Sequence, residues 1–256
     1  VKEMVPDAKE AIEYFTPKRF DQDEVVTFKP GEEAQVKLHY RNVQDVNILV
    51  YRVDLMKLYL LQKNLNNITN VNLAGITPYY QGTLTLGAGK DYADKEYNVS
   101  LPLEKEGAYL VVAKAAELDT SGMVLRSVLK MEVAEDVASG RVRVNVLNAA
   151  AGKYENKVHV KVIGSDDPEF ISGETDLRGI FIADNIHGAA TVIARKGDQY
   201  AFYRGKARLQ PPEVKFEQQQ ALQPMLNMRS QATQQLRDTN IAIQQESAGY
   251  LRQNLY

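Results

Sequence analysis

The chain has 256 residues, of which 44% are hydrophobic and 25% charged, a composition typical of folded globular proteins and not of disordered ones. Its 31 Lys and Arg nearly balance 33 Asp and Glu, for a net charge of -2, so the composition predicts no nucleic-acid partner. It contains no cysteine, which excludes thiol nucleophiles, disulfides and cysteine-bound metals.

Residues 1–24 are predicted to form a short N-terminal helix and a polar connector. In the segment "PDAKEAIEYF", Pro6 suits the first helical turn and the apolar residues fall near one face. The connector, "TPKRFDQDE", follows directly. Because the first residue, Val1, is not an initiator methionine, we expect the chain to be part of a longer protein. No leader peptide is visible, and no apolar run reaches the roughly 18 residues of a membrane-spanning helix.

Residues 25–138 are predicted to form an antiparallel β-sandwich that carries one inserted helix. Period-2 alternation and β-branched residues predict strands in "VVTFKPGEEAQVKLHY", "VNILVYRVD", "EYNVSLPL", "GAYLVVAKA" and "MVLRSVLKMEVA". Between the second and third of these, "DLMKLYLLQKNLNNI" repeats its apolar residues at three and four. Asp54 is a suitable N-cap, so we predict a helix there.

Residues 139–208 are predicted to form a second, smaller β-sandwich. "RVRVNVLNA" and "KVHVKVIG" alternate between apolar and polar residues, so each has one buried and one solvated face. "GIFIAD", "ATVIARKG" and "QYAFYRG" supply further strands. Thr175, Asp176 and Gly179 indicate a turn in which Asp bonds its own backbone and Gly adopts a positive φ. A turn and two short strands that close a small sandwich explain this segment, so no catalytic role is needed to account for its residues.

Residues 209–256 differ in composition from the rest of the chain, being rich in Gln and Asn. Leu222, Leu236, Ile243 and Tyr250 recur at multiples of seven, but Arg229 falls at the same offset and is a poor zipper core residue. We predict a docked helix or a linker here, and a weak coiled coil remains an alternative.

The three histidines, His39, His159 and His187, lie far apart and have no metal-ligating neighbour at useful spacing, so we interpret them as surface residues. No G-x-S-x-G elbow indicates a serine nucleophile. We therefore predict that the protein is not an enzyme, with no catalytic residue and no cofactor.

Three aspartates could be considered as metal ligands: Asp166, Asp167 and Asp176. They lack the spacing of a calcium-binding loop, and turn-forming aspartates are the simpler interpretation. We predict no metal site. Tyr79 and Tyr80, in "GITPYYQG", are the candidate ligand contacts, because a pair of loop tyrosines can bind a peptide or a sugar ring. The alternative is that one ring packs inward.

The order of motifs in residues 25–205 resembles the alpha-2-macroglobulin family. "FKPGEEAQVKLHYRNV", "VYRVD" and "LPLEKEGAYLVVAK" are similar to strands of a macroglobulin domain. "TDLRGIF" and "GAATVIARKG" are similar to a small transthyretin-like module of the same family. The resemblance implies two tandem β-sandwiches from a larger bacterial protein. In that family protease capture depends on a bait segment, and covalent capture depends on a Cys–Gln thioester. This chain has no cysteine and no long protease-sensitive insert.

The resemblance implies a non-enzymatic module, architectural or protein-binding, within a protein of the periplasm, cell envelope or secreted fraction. Its partners would be other domains of the parent chain and the proteases that the parent binds. The alternative function is a ligand-binding module, an adhesin or carbohydrate-binding sandwich, in which Tyr79 and Tyr80 make the contacts.

Overall fold

A computed structural model describes residue 10 and residues 12–61 and 75–211, and these residues are mostly strand. The predicted Gln-rich segment beyond residue 211 lies outside the described residues. The described strands are β1 (Arg19–Gln22), β2 (Val25–Phe28), β3 (Ala34–Arg41), β4 (Asp45–Val53), β5 (Tyr80–Thr85), β6 (Lys95–Leu101), β7 (Gly107–Ala115), β8 (Leu118–Arg126), β9 (Leu129–Asp136), β10 (Arg141–Asn148), β11 (Lys153–Tyr154), β12 (His159–Gly164), β13 (Ile171–Glu174), β14 (Ile180–Ala183), β15 (Gly188–Lys196) and β16 (Gln199–Leu209). One helix, α1 (Leu55–Leu61), follows β4.

The first sandwich consists of a three-stranded sheet, β1-β3-β6, and a five-stranded sheet, β2-β8-β7-β4-β5. Its core lies between the two sheets. Alternate residues of β3, such as Val36 and Leu38, face alternate residues of β4 and β7, such as Ile48 and Tyr109. The period-2 pattern of these segments therefore specifies which side chains enter the core.

The second sandwich packs the sheet β13-β12-β15-β16 against a sheet in which β10 pairs with β9, β11 and β14. Val142, Val144 and Val146 on β10 face Val160 and Val162 on β12. The two segments with the cleanest alternation thus form facing walls of one core. The predicted fold class, two tandem β-sandwiches with an inserted helix, is confirmed.

The segment "MVLRSVLKMEVA" contributes to two strands in different sandwiches, whereas the sequence pattern assigns all of it to the first sandwich. The chain leaves the first sandwich at the end of β8 and enters the second at β9, which pairs with β10 along its whole length. Ser127, which is 2% exposed, marks the corner: its backbone N–H donates to Phe28 and its hydroxyl accepts from the Leu129 N–H. The expected boundary at residues 138 and 139 lies in the turn between β9 and β10.

The predicted connector contributes a strand instead of a loop. Residues 12–15 are helical, as expected, but β1 pairs antiparallel with β3 and so belongs to the first sandwich. Its neighbour β2 pairs parallel to β8, which the antiparallel expectation did not include.

Helix α1 begins where Asp54 predicts. The Asp54 carboxylate accepts hydrogen bonds from the backbone N–H groups of Met56 (3.1 Å) and Lys57 (3.4 Å). These are N-cap contacts, which satisfy donors that the first helical turn leaves free. The helix is described as far as Leu61, and the remainder of the predicted helix lies outside the described residues.

Candidate functional site

The most extensive feature that the two sandwiches share is the contact between them, here called the junction. It is a cluster of buried residues from both sandwiches and from α1: Tyr51, Leu55, Met56, Leu58, Ala108, Leu110, Val112, Met123, Leu125, Ile163, Ile193 and Tyr200. The described residues up to Pro211 form a single compact unit.

The junction exists because several strands are apolar on both faces. On β7, Tyr109 and Val111 enter the first core, whereas Leu110 and Val112 point the other way into the junction. All residues from Gly107 to Ala113 are consequently buried. Continuous apolar runs of this kind are typical of strands covered on both faces. The surface that covers β7 is the outer face of the second sandwich.

The second sandwich contributes the residues on the outer face of β12, β15 and β16. Ile163 and Ile193 have 3% and 0% of their surface exposed, although they lie on the face opposite to their own sandwich core. Phe170 and Phe202 pack beside them. An exposed apolar patch of this size would be unusual on a lone domain, so these residues require the cover that the first sandwich provides.

Polar contacts surround this apolar cluster. Arg204 forms a two-pronged ion pair with Glu24, its Nε lying 3.0 Å from Oε2. Arg195 binds Asp54 at 2.9 Å, so the residue that caps α1 also contacts the second sandwich. Ion pairs with two parallel hydrogen bonds hold a defined geometry. They therefore limit how the two sandwiches can rotate against each other.

Two further contacts join the turn between β15 and β16 to the first sandwich. Asp198 binds Arg52 at 3.0 Å and Gln199 donates to Glu106 at 3.0 Å. Burial raises the pKa of the neighbouring Tyr200, and the nearby Asp54 carboxylate raises it further. Tyr200 therefore stays neutral over the whole physiological range, as a ring that packs in the junction must.

The turn that follows β13 is structural. Thr175 is 4% exposed; its hydroxyl donates to the Glu155 carbonyl at 2.7 Å and accepts from the Val158 N–H. The Asp176 carboxylate accepts from the backbone N–H groups of Arg178 and Ile180, and these hydrogen bonds lower its pKa. The predicted self-bonded aspartate turn is confirmed.

The two candidate tyrosines contact different neighbours. Tyr79 is 41% exposed, and its ring meets the Tyr109 ring edge-on at 5.4 Å. Tyr80 packs against the first core and also lines a groove between the edge strands β5 and β6, together with Tyr97, Asn98 and Ser100. Only Tyr79 keeps a large exposed surface.

Among the predicted surface histidines and turn aspartates, His187 contacts Asp167, whereas His39 and Asp176 have other partners. His39 lies beside Glu96, at 3.3 Å. The His187 Nδ1 lies 2.8 Å from Asp167, which also accepts from two backbone N–H groups. Asp166 binds Arg208. Within the described residues, no three histidine, aspartate or glutamate side chains are grouped to hold a metal ion.

No sequence signal could have identified the junction pairs. Asp54 and Arg195 are 141 positions apart, and Glu24 and Arg204 are 180 apart. Individually these are ordinary charged residues, the two arginines on strands and the two carboxylates in connections between elements. Among the described residues no helix is long and apolar enough to cross a membrane.

No family model matches this sequence, and no curated protein matches it. Solved structures do match in fold. A fragment of native Escherichia coli alpha-2-macroglobulin spanning domains MG0-NIE-MG1 has a TM-score of 0.54 at 16% identity, over 73% of this chain and 64% of that fragment. The fragment spanning NIE-MG1 has a TM-score of 0.52 at 16% identity, over 74% of this chain and 98% of that one.

A Salmonella alpha-2-macroglobulin variant matches with a TM-score of 0.51 at 15% identity, over 73% of this chain. The match spans 12% of the Salmonella chain, so this protein corresponds to a small part of that relative. The chain has the macroglobulin-type fold of these bacterial alpha-2-macroglobulin domains, and the resemblance found in its sequence is thereby confirmed at the level of the fold.

Proposed function

We propose that this chain is a non-enzymatic, two-sandwich module of a bacterial alpha-2-macroglobulin-like protein, acting outside the cytoplasm. Its role is to hold two sandwiches in a fixed relation and so to space and orient other domains of the parent chain. The observation that carries this proposal is the junction, which buries large apolar residues of both sandwiches behind ion pairs.

We propose domain limits that follow the sheets. The first sandwich would run from β1 to β8 and the second from β9 to β16, with the change at residues 127–128. This moves the expected boundary of residues 138 and 139 toward the N-terminus. The proposal rests on the pairing of β9 with β10, since a strand belongs to the domain whose sheet completes it.

Cooperative unfolding of the full chain tests the architectural role. We expect residues of both sandwiches to unfold in one transition, because domains that share a large apolar interface lose it together. Ile193→Asp places a charge in the junction and should separate the transition into two. Ile182→Asp is the matched control, because Ile182 is 47% exposed on the other sheet of the second sandwich.

Denaturation followed by tyrosine fluorescence, circular dichroism and small-angle scattering distinguishes a single unfolding transition from two. If Ile193→Asp prevents folding, Ile193→Ala provides a milder version of the same test. Two independent transitions in the unmodified chain would contradict a fixed relation between the sandwiches, as would equal behaviour of Ile193→Asp and Ile182→Asp.

We propose further that the parent protein inhibits proteases, as the family resemblance implies, with this module in a supporting position. An assay on the full-length parent tests this. A captured protease would keep its activity on small peptides and lose it on large proteins. Unchanged activity on both substrates would reject the inhibitory role and leave the architectural one standing.

A second candidate function is ligand binding at the groove that Tyr80 lines, with exposed Tyr79 nearby. Exposed aromatic rings beside amide and hydroxyl groups suit sugar recognition. Binding to a glycan array that disappears in Tyr79→Ala and Tyr80→Ala would support it, and an array without signal would count against it.

A further inference from the structure

A cavity of about 480 Å³ lies where α1 meets the outer face of the second sandwich. Besides Asp54, Met56 and Gly197, its lining consists of basic side chains: Lys57, Lys157, His159, Lys161, Arg195 and Lys196. We call it the basic cavity. Five Lys and Arg residues against one carboxylate contrast with the balanced charge of the whole chain.

The strand pattern explains why these residues come together. On β12, Val160 and Val162 enter the core of the second sandwich, so His159 and Lys161 must lie on the outer face. Arg195 lies directly across from His159 on β15. The cavity is therefore built on a paired, hydrogen-bonded sheet, which fixes the spacing of its charges better than a loop would.

Neighbouring strand ends and α1 supply the other cations. Lys157 lies two residues before β12 and has a φ of 54°, and Lys196 ends β15. Lys57 comes from the first turn of α1. Three separate segments thus contribute basic side chains to the lining of the basic cavity.

Within the described residues, two of these five Lys and Arg charges are paired with carboxylates, and three are not. Asp54 binds Arg195 at 2.9 Å while it caps α1, and Glu155 binds Lys196. The part of the chain that the structure describes places no carboxylate within ion-pairing distance of Lys57, Lys157 or Lys161. Like charges gathered in one cavity repel each other, and a bound anion removes that repulsion.

We infer that the basic cavity binds an oxyanion ester, a phosphate or sulfate group carried on a sugar-sized molecule. Ammonium groups act as point charges that suit the clustered oxygens of such groups. The volume is within the range of small-molecule sites. This inference is independent of the architectural role, because the cavity could bind its ligand whether or not the module orients other domains.

Isothermal titration calorimetry on the full chain tests the inference. The ligands are glucose 6-phosphate, glucose 6-sulfate, inorganic phosphate and glucose, and potassium chloride at matched ionic strength is the blank. We expect the charged ligands to bind and glucose and chloride to give no signal. Tighter binding of the sugar esters than of inorganic phosphate would identify the carrier as part of the ligand. Equal binding would identify the oxyanion alone.

The variant that tests the site combines Lys57→Gln, Lys157→Gln and Lys161→Gln. All three side chains are at least partly exposed, so the variant should fold, and its thermal unfolding can be compared with the unmodified chain. We expect affinity to fall by roughly tenfold or more, because charge-assisted contacts are lost. The control variant, with Lys29→Gln, Lys105→Gln and Lys130→Gln, removes as much charge from exposed positions elsewhere. Absence of binding to every charged ligand would overturn the inference, as would equal affinities of the two variants.

Discussion

Two glycines in turns of the second sandwich have a positive φ, a conformation that residues with a side chain rarely adopt. Gly179 has a φ of 75°, and a Cβ there would lie 2.8 Å from the Cβ of Tyr154. Gly197 has a φ of 62° with nothing within 4 Å of the same position. The two glycines therefore separate backbone strain from steric exclusion.

We expect Gly179→Ala to lower the free energy of unfolding by about 2–3 kcal/mol, and Gly197→Ala by about 1 kcal/mol. The first substitution combines the cost of a positive φ with a displacement of β11, and the second has the φ cost alone. Urea denaturation of both variants measures the difference. Equal losses would mean that the Tyr154 contact relaxes freely.

The titration of Glu135 should be visible in the pH dependence of stability. One carboxylate oxygen is buried without a hydrogen-bond partner among the described residues. Burial raises the pKa of this carboxyl, and a hydrogen bond from Tyr203 only partly opposes the rise. The folded pKa thus exceeds the unfolded value of about 4.5, so between the two the folded state binds more protons and stability falls as pH rises.

Glu135→Gln should remove this pH dependence. At pH 7 we expect the variant to be the more stable by up to about 1 kcal/mol, a modest gain because the side chain is partly solvated. At a pH below 4.5 the two proteins should converge. Urea midpoints measured between pH 4 and pH 7 check the slope, and parallel curves would show that Glu135 titrates normally.

At the scale of elements, the N-terminal helical turn is held to β3 by two consecutive residues. The Arg41 guanidinium stacks on the Tyr14 ring at 4.7 Å. Asn42, with a φ of 56°, donates from its side-chain amide to the carbonyls of Phe15 (2.8 Å) and Thr16 (3.0 Å). A buried amide thus satisfies carbonyls that the end of a helix leaves free.

Asn42→Gly should loosen this turn while leaving the positive φ unstrained. We expect a loss of about 1–2 kcal/mol for the missing buried hydrogen bonds and faster tryptic cleavage near β1. Asn185→Gly is the control, because Asn185 has a φ of 62° but is exposed. Similar cleavage rates in both variants would show that Asn42 does not anchor the turn.

At the scale of the whole molecule, the ion pair between Glu24 and Arg204 reports directly on contact between the sandwiches. Both side chains are 34% exposed, and the pair has two hydrogen bonds, so it should retain more energy than a surface pair. The pair is formed only when the junction is closed.

A double-mutant cycle with Glu24→Gln and Arg204→Met should give a coupling energy of about 1 kcal/mol. Arg141 and Asp184 form an ion pair within the second sandwich, and their side chains are 57% and 59% exposed. A cycle with Arg141→Met and Asp184→Asn should give a coupling energy of only a few tenths of a kcal/mol. A coupling near zero for the first pair would indicate that the sandwiches separate in solution.

Sequence patterns predicted strands better than the relation between strands. The alternation of β10 and β12 specified a two-faced strand, since each side chain's direction follows from the period of 2. The sequence pattern assigns "MVLRSVLKMEVA" to one sandwich, because both halves of the segment are apolar. Hydrophobicity alone does not show that the chain turns a corner at Ser127 and joins another sheet.

The sequence by itself determined the local features of this protein: the strands, the cap of α1 at Asp54 and the turn at Asp176 all depend on neighbouring residues. The tertiary structure alone decided the junction and the basic cavity. Ile193 and Lys161 both lie on the outer face of one sheet, and only the approach of the first sandwich buries one and leaves the other lining a cavity. The ion pairs of the junction join positions more than a hundred residues apart, and no local pattern encodes them.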